Sequence, residues 1–494
     1  MGHVPHAKAV TTATPLNNRV AAGLVFLSSG AVLVLEVAGL RLVGPYVGVT
    51  LETSSAVIGV ALGAIAYGAW TGGWLADRRL DPAKLLSPLL LLGALATAAT
   101  LPIVRIAGEW LRGTDPTSVL LLAMLALFVP AALLSAVTPV VVKLQLGDLA
   151  HTGRVVGRLS SVGTLGAITA TLGTGFVLVA TAPTSGILFG LAGVLALAGF
   201  GLMGYWRKRA PAVTALAVIA AGVPVAVFAP DPCEVETAYH CASVAVDRHR
   251  PSGRTLLLNG AQHSYVDLDD PAHLEYAYTR WIASYVDELP PGRLDALHLG
   301  GGGFTLPRYL AAARPGTDSV VLELDAALVA LDRQRLGLVT GPELRVVTGD
   351  ARVNLHREPS GSRDLVIGDA FGHLVVPWHL ATRELTEDVR RVLRPGGVYA
   401  LNVIDGKARR FVRAEVATVA SVFAHVALIA PPAALRGETG SNFVVLGSPE
   451  PLRPFEAPID ARVLTGDGLR DFIGDAAVLT DDYAPVDQLL TYSP

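Results

Sequence analysis

The sequence predicts an N-terminal all-α polytopic membrane bundle of about seven helices, followed by a C-terminal α/β domain with a small β-rich subdomain at its start. Three observations predict it: long apolar runs as far as residue 229, a change in charge density after them, and strand–helix alternation from Leu294 onward. Of 494 residues, 51% are hydrophobic and 16% charged. The mean hydropathy of +0.48 is high for a chain that folds wholly in water.

Seven apolar segments cover roughly 21–46, 55–75, 85–105, 117–142, 159–181, 184–205 and 211–229. Each is long enough to cross a hydrocarbon core as a helix. Small residues recur in Gly59–Gly73, Gly93–Ala99 and Gly163–Gly175, which lets helices approach closely in lipid. Residues 1–20 form a polar tail without the pattern of a cleaved signal. Residues 1–229 hold 7 acidic and 14 basic side chains, a net +7, which leaves −10 of the total −3 for the rest. A sparsely charged basic half beside an acidic half of ordinary composition reads as membrane domain plus globular domain, and the acidic half excludes a nucleic-acid binder.

Arg78, Arg79, Lys84, Lys143, Arg154, Arg158, Arg207, Lys208 and Arg209 cluster after the second, fourth and sixth segments. The positive-inside rule places those loops and the N-terminus in the cytoplasm. Seven crossings then put the C-terminal half outside. The only cysteines, Cys233 and Cys241, are spaced for a hairpin disulfide, although two buried thiols fit equally well. An external domain conflicts with a cytosolic nucleotide supply. The side therefore stays open, with the seventh segment (Pro224 inside it) as the one that would fail to cross. Glu36 and Arg41 within the first segment are either functional groups facing the bundle interior or a neutralised pair near an interface. Gly72–Arg79 resembles, over a short span, the loop between the second and third helices of major facilitator transporters; a charged cytoplasmic turn explains it as well.

Domain boundaries are expected at 21–229 for the bundle, 230–290 for the β-rich subdomain and its helix, and 291–494 for the α/β domain. Short strands are expected at Ser243–Val246 and Thr255–Leu258, and a helix over Leu274–Val286. Strands then recur at Ala296–Leu299, Ser319–Leu322, Leu344–Val347, Leu365–Ile367, Val398–Val403, Ala427–Ile429 and Phe443–Leu446, with helical segments between most of them. Such alternation implies a largely parallel sheet covered on both faces.

The ends of four of these strands carry the chemistry. The first runs into Gly300–Gly301–Gly302–Gly303, where bare backbone admits a ligand and helix amides face it. The second ends at Glu323, an acid about 20 residues on that suits ribose hydroxyls. The third ends at Asp350–Ala351, placed for an adenine amine. The fourth ends at Asp369. Four polar strand ends on one sheet edge point to an adenosine-type ligand.

This spacing resembles the class I S-adenosylmethionine-dependent enzymes, whose domain is Rossmann-like, and among them the spermidine synthases (polyamine aminopropyltransferases), including membrane-fused members. The residues that carry the resemblance are Leu257–Gln262, Tyr278, Gly300–Gly303, Glu323, Asp350–Ala351, Asp369 and the closing Leu479–Asp487. It covers about 230–494. The resemblance implies transfer of an aminopropyl group from decarboxylated S-adenosylmethionine to an amine such as putrescine, with methylthioadenosine leaving. It implies Asp369 as the base, His240 and Gln262 on the donor side, and Tyr278, Gly372 and Asp481 on the acceptor side. A base is needed because a polyamine at pH 7 is almost wholly protonated.

The sequence departs from that pattern at two acids. The glycine-loop Asp that would bind the donor's ammonium falls at Gly303, and a second Asp after the base falls at Gly372. Thr279 and His240 replace a His and a Gln. Losing these acids weakens preference for the decarboxylated donor and removes a repulsion against the carboxylate of intact S-adenosylmethionine. The alternatives are therefore a methyltransferase on an apolar, membrane-delivered acceptor, or a transporter with a polyamine- or nucleotide-sensing domain. Asp267, Asp269, Asp270, Glu275, Asp481 and Asp482 are candidate substitutes for the lost acids. Trp378 and His379 either wall a substrate or simply pack. His263 and His373 have no zinc spacing, and no metal is expected. The expected partners are the lipid bilayer and a small amine or apolar acceptor. A multi-pass cell-membrane protein and a homo-oligomer are expected.

Overall fold

The structure is a computed structural model and describes residues 16–48, 50–78, 81–112, 115–146, 152–205, 233–371 and 376–490. The chain divides into two compact units, Met1–Pro232 and Cys233–Pro494.

Among the described residues of the first unit, six helices are long and apolar enough to cross a membrane: α1 (Asn18–Val47), α2 (Leu51–Arg78), α3 (Ala83–Trp110), α4 (Pro116–Gln145), α5 (Thr152–Thr181) and α6 (Thr184–Tyr205). The seventh expected segment, 211–229, lies outside the described residues. Caps set two of the starts. The Asn17 side chain accepts from the Arg19 amide at 2.9 Å, and Asp115 accepts from the Thr117 and Ser118 amides at 3.1 and 3.0 Å, with Pro116 as first helical residue. Helix α4 is interrupted at Ala136, where Pro139 cannot donate to the Ser135 carbonyl.

Small residues decide how these helices meet. A Cβ on Gly68 would lie 2.1 Å from the Ala132 carbonyl oxygen, and one on Gly166 would lie 2.3 Å from that of Phe26. The backbones of α2 and α4, and of α1 and α5, therefore touch only because no side chain intervenes. Arg41 donates to the Val179 carbonyl at 3.3 Å, so one of its hydrogen bonds goes to backbone. In the Gly72–Arg79 stretch, Asp77 pairs with Lys143 at 2.8 Å and the Arg78 guanidinium lies 3.8 Å from the centre of the Trp74 ring.

The second unit begins with a four-stranded antiparallel sheet of β1 (Val235–Glu236), β2 (Cys241–Val246), β3 (Gly253–Leu258) and β4 (Ala261–Asp267). A disulfide joins Cys233 to Cys241, with Cα atoms 4.9 Å apart. After α7 (Ala277–Val286) comes an eight-stranded sheet in the order β12-β10-β11-β9-β8-β5-β6-β7. Its strands are β5 (Asp295–Leu299), β6 (Asp318–Glu323), β7 (Leu344–Thr348), β8 (Arg363–Gly368), β9 (Leu393–Asp405), β10 (His425–Ala430), β11 (Ser441–Ser448) and β12 (Arg462–Leu464). Strands β9, β8, β5, β6 and β7 are parallel neighbours, whereas β11 pairs antiparallel with both β9 and β10, and β12 antiparallel with β10. The sheet is Rossmann-like, and its first five strands follow the 3-2-1-4-5 winding.

Both faces are covered. Leu297 and Leu299 of β5 join the core built on α11 (Arg383–Val392) and α12 (Arg410–Ala420), while Ala296 joins the core of α7 and α8 (Thr305–Ala313). That is why the strands read as continuous apolar runs rather than alternating ones. Winding reverses between β5 and β8, and the crevice at their C-terminal ends holds Gly300 and Asp369.

Candidate active site

Backbone geometry builds the pocket first. The Gly300 amide donates to the Leu322 carbonyl and the Asp369 amide to the Leu299 carbonyl, both at 2.9 Å, so the two loops leave the sheet side by side. Gly300 has φ +94°, and a Cβ there would lie 2.4 Å from the Asp369 carbonyl oxygen. Only glycine fits. The Gly301 amide donates to Glu323 at 2.7 Å and the Gly303 amide to the Ser264 hydroxyl at 3.0 Å. A Cβ on Gly303 would sit 3.0 Å from that of Ser264 and 3.3 Å from the Leu336 side chain. A side chain at Gly303 would therefore press on Ser264 and Leu336, which would have to give by a few tenths of an ångström.

Asp369 stands between two donors. Tyr278 Oη donates to Oδ2 at 2.9 Å and Asn402 Nδ2 to Oδ1 at 2.8 Å, while Asn442 Nδ2 donates to Asn402 Oδ1 at 3.0 Å. Burial pushes the Asp369 carboxyl above the ordinary range, and the Asn402 and Tyr278 hydrogen bonds pull it back down. The result is a deep carboxylate whose basicity exceeds that of a surface aspartate. Burial, then the charge of Asp369, pushes the Tyr278 phenol well above its usual value, so it remains a donor.

The pocket that Asp369 and Tyr278 line also includes Gly300–Gly302, His263, Ser264, His298, Leu306 and Ile367. Glu323 is buried, accepting from the Gly301 amide at 2.7 Å and the Asp325 amide at 2.9 Å. Burial raises its pKa, against those two hydrogen bonds. Asp350 caps α10 (Ala351–Leu355), accepting from the Val353 amide at 3.0 Å, and lies 2.9 Å from His379 Nε2. Burial raises Asp350, but the Val353 amide and His379 outweigh it and hold the carboxyl below its usual range. Ala351 is buried at the first turn of that helix.

The remaining expected residues divide. His240 is half-buried, 3.4 Å from Asn259 Nδ2, and burial lowers its pKa against the pull of Asp325. Gln262 is exposed on β4, whereas its neighbours His263 and Ser264 line the pocket. Asp481 forms a two-pronged pair with Arg352 at 2.7 and 2.6 Å, which holds its pKa down. Gly372 and His373 lie outside the described residues. Among the candidate substitute acids, Asp267 and Asp270 pair with Arg250, and Glu275 pairs with His273. Trp378 is half-exposed at a short helical turn. Among the described residues no cluster of three or more His, Cys, Asp or Glu is placed to hold a metal.

Asn402, Asn442, His298 and Ser264 were not singled out from the sequence. A polar residue inside an apolar strand run, as in Val398–Val403 or Ala296–Leu299, was the available signal.

No family model matches the chain. It is 30% identical over 152 residues to a polyamine aminopropyltransferase of Chromobacterium violaceum, covering 30% of this chain and 56% of that protein. It is 30% identical over 162 residues to a polyamine aminopropyltransferase of Vibrio vulnificus, covering 32% and 52%. The chain thus spans about half the length of the curated relatives it matches. Among solved structures, a probable spermidine synthase from Corynebacterium glutamicum is 28% identical with a TM-score of 0.48, covering 53% of this chain and 98% of that one. The spermidine synthase of Thermotoga maritima is 13% identical with a TM-score of 0.33, covering 52% and 82%. By sequence, about a third of this chain is similar to polyamine aminopropyltransferases.

Proposed function

We propose that the protein is a membrane-anchored aminopropyltransferase, with its C-terminal unit as the catalytic part. The observation that carries this is Asp369, a deep carboxylate held by Tyr278 and Asn402 at the mouth of the glycine loop. In this reading Gly300–Gly302 admit the sulfonium end of decarboxylated S-adenosylmethionine, Glu323 takes the ribose hydroxyls and Asp350 the adenine edge. Asp369 accepts a proton from the acceptor's ammonium. The freed lone pair attacks the propyl carbon next to sulfur, a C–N bond forms, and the C–S bond breaks. Its electron pair neutralises the sulfonium, and methylthioadenosine departs as a neutral thioether. The proton on Asp369 then passes to water. The six apolar helices support residence in a cell membrane, and the Cys233–Cys241 disulfide favours an oxidising side for the catalytic unit.

Gly303 supports one second reading. With no carboxylate there to hold the donor's ammonium, intact S-adenosylmethionine would meet less repulsion, and methyl transfer would follow. Calorimetry with the two donors separates the readings. Aminopropyl transfer predicts tighter binding of the decarboxylated form; binding of intact S-adenosylmethionine alone would contradict it.

A further inference from the structure

Asp369 ends a chain of side chains that begins two strands away. Val398 and Ala400 of β9 and Val444 and Leu446 of β11 pack in the core of α7 and α8. Side chains two residues apart on a strand share a face, so Asn402 and Asn442 lie on that face too. The strands pair antiparallel, with Asn402 opposite Val444 and Asn442 opposite Ile404. The two amides are therefore diagonal neighbours, within reach of each other. Asn442 Nδ2 donates to Asn402 Oδ1 at 3.0 Å, and Asn402 Nδ2 donates to Asp369 Oδ1 at 2.8 Å. Among the described residues that line the pocket, Asn442 has no place.

Charge sets the direction of this chain. An ionised carboxylate only accepts, so Asn402 turns its amide nitrogen to Asp369 and its carbonyl to β11. Asn402 is 2% exposed, and a buried carbonyl without a donor is costly. Asn442 supplies the donor. A protonated carboxyl, in contrast, donates. An Asn402 amide free to turn over would offer its carbonyl to that acid and stabilise the protonated form. Asn442 opposes the turn, because the turned amide would set one NH2 group against another.

We propose that Asn442 is a positioning residue: by donating to Asn402 it fixes the direction of that amide and keeps Asp369 the unprotonated acceptor that the transfer needs. This rests on the aminopropyl-transfer reading, in which Asp369 is the base. The other titratable groups lining the pocket are Tyr278 of α7, His298 of β5 and His263 of β4. Tyr276 stacks on Tyr278 with ring centres 6.3 Å apart. Burial holds the Tyr278 phenol well above its usual value, pushes Tyr276 up to about 12 and pushes His298 down to about 3, so all three are uncharged near neutral pH. His263 is common to every protein compared in the test.

The test compares full-length wild type, Asn442→Leu and Asn442→Asp in detergent, with saturating decarboxylated S-adenosylmethionine and 1,4-diaminobutane. The pH dependence of kcat/KM for methylthioadenosine release is the readout, and its acid limb reports the base before the acceptor binds. Leucine is close in volume but cannot donate. Aspartate has the same shape and, once ionised, forces Asn402 to turn over. The acid limb is expected to move to higher pH in both variants, further in Asn442→Asp, with the lost activity recovered on the plateau. Asn442→Ala, which also lacks the donor, takes the place of Asn442→Leu if that variant does not fold. An equal loss at every pH with the limb in place means a purely structural role; it overturns the inference and leaves aminopropyl transfer standing. A shift in Asn442→Asp alone is the added charge acting at a distance, and overturns the inference as well. Absence of methylthioadenosine from wild type that binds the donor overturns both.

Discussion

Tyr278 and Asp369, 91 residues apart in the chain, are joined by a 2.9 Å hydrogen bond from the phenol to the carboxylate. The bond ties helix α7 of the C-terminal unit to the end of β8. Asp369→Asn keeps the size but cannot accept a proton. We expect it to lower turnover by about 10²–10⁴-fold, with donor affinity and melting temperature little changed. Turnover within threefold of wild type would remove Asp369 from the chemistry.

Tyr278→Phe tests the same bond through pH. The phenol donates to the ionised carboxylate and so lowers its pKa, against the larger upward push of burial. Without that donor the carboxyl titrates higher, and the acid limb of kcat/KM against pH moves up. An unmoved limb would mean that the bond does not act on the base.

Glu323→Gln removes the charge at the ribose position while keeping the volume. Each hydroxyl then loses a charge-assisted hydrogen bond, so affinity for the nucleoside donor falls by about 1.5–3 kcal/mol, measured by calorimetry. Unchanged affinity would show that Glu323 serves only the Gly301 and Asp325 amides.

Asp332 offers a stability test away from the catalytic step. It is fully buried on α9 (Ala326–Arg335), and burial, then the charge of Glu323, pushes its carboxyl up to about 8. An acid with a folded pKa above its unfolded value favours the folded state while protonated. Its contribution is complete below about pH 4 and is lost as pH rises through about 8. Asp332→Asn cannot ionise, so its melting temperature should decline less between pH 6 and 9. Parallel declines in the two proteins would contradict this.

The disulfide closes a short loop beside the small sheet. Cys233→Ser with Cys241→Ser should lower the stability of the C-terminal unit by about 2–3 kcal/mol. In intact cells, a membrane-impermeant thiol reagent applied after an impermeant reductant should label the wild-type pair. Labelling only after permeabilisation would place the unit on the cytoplasmic side.

The eight-stranded sheet was legible because its strands are buried on both faces and so appear as apolar runs between helices. The placement of the glycine loop and of Glu323, Asp350 and Asp369 at strand ends was legible because each directly follows an apolar run in the sequence. The antiparallel course of β11 was not, since an apolar run carries no direction. Asn402, which holds Asp369, lies mid-strand, and its partner is 33 residues away. The glycine at 303 showed in the sequence, but the close packing of Ser264 and Leu336 against it did not. Likewise Asp481 read as a candidate for an amine, whereas its carboxylate is engaged by Arg352.

The central claim is the group transferred. The purified protein would be incubated with an amine and, separately, decarboxylated and intact S-adenosylmethionine, and the nucleoside product identified by mass spectrometry. The account predicts methylthioadenosine from the decarboxylated donor, abolished by Asp369→Asn. S-adenosylhomocysteine from the intact donor, with no methylthioadenosine from the other, would contradict it.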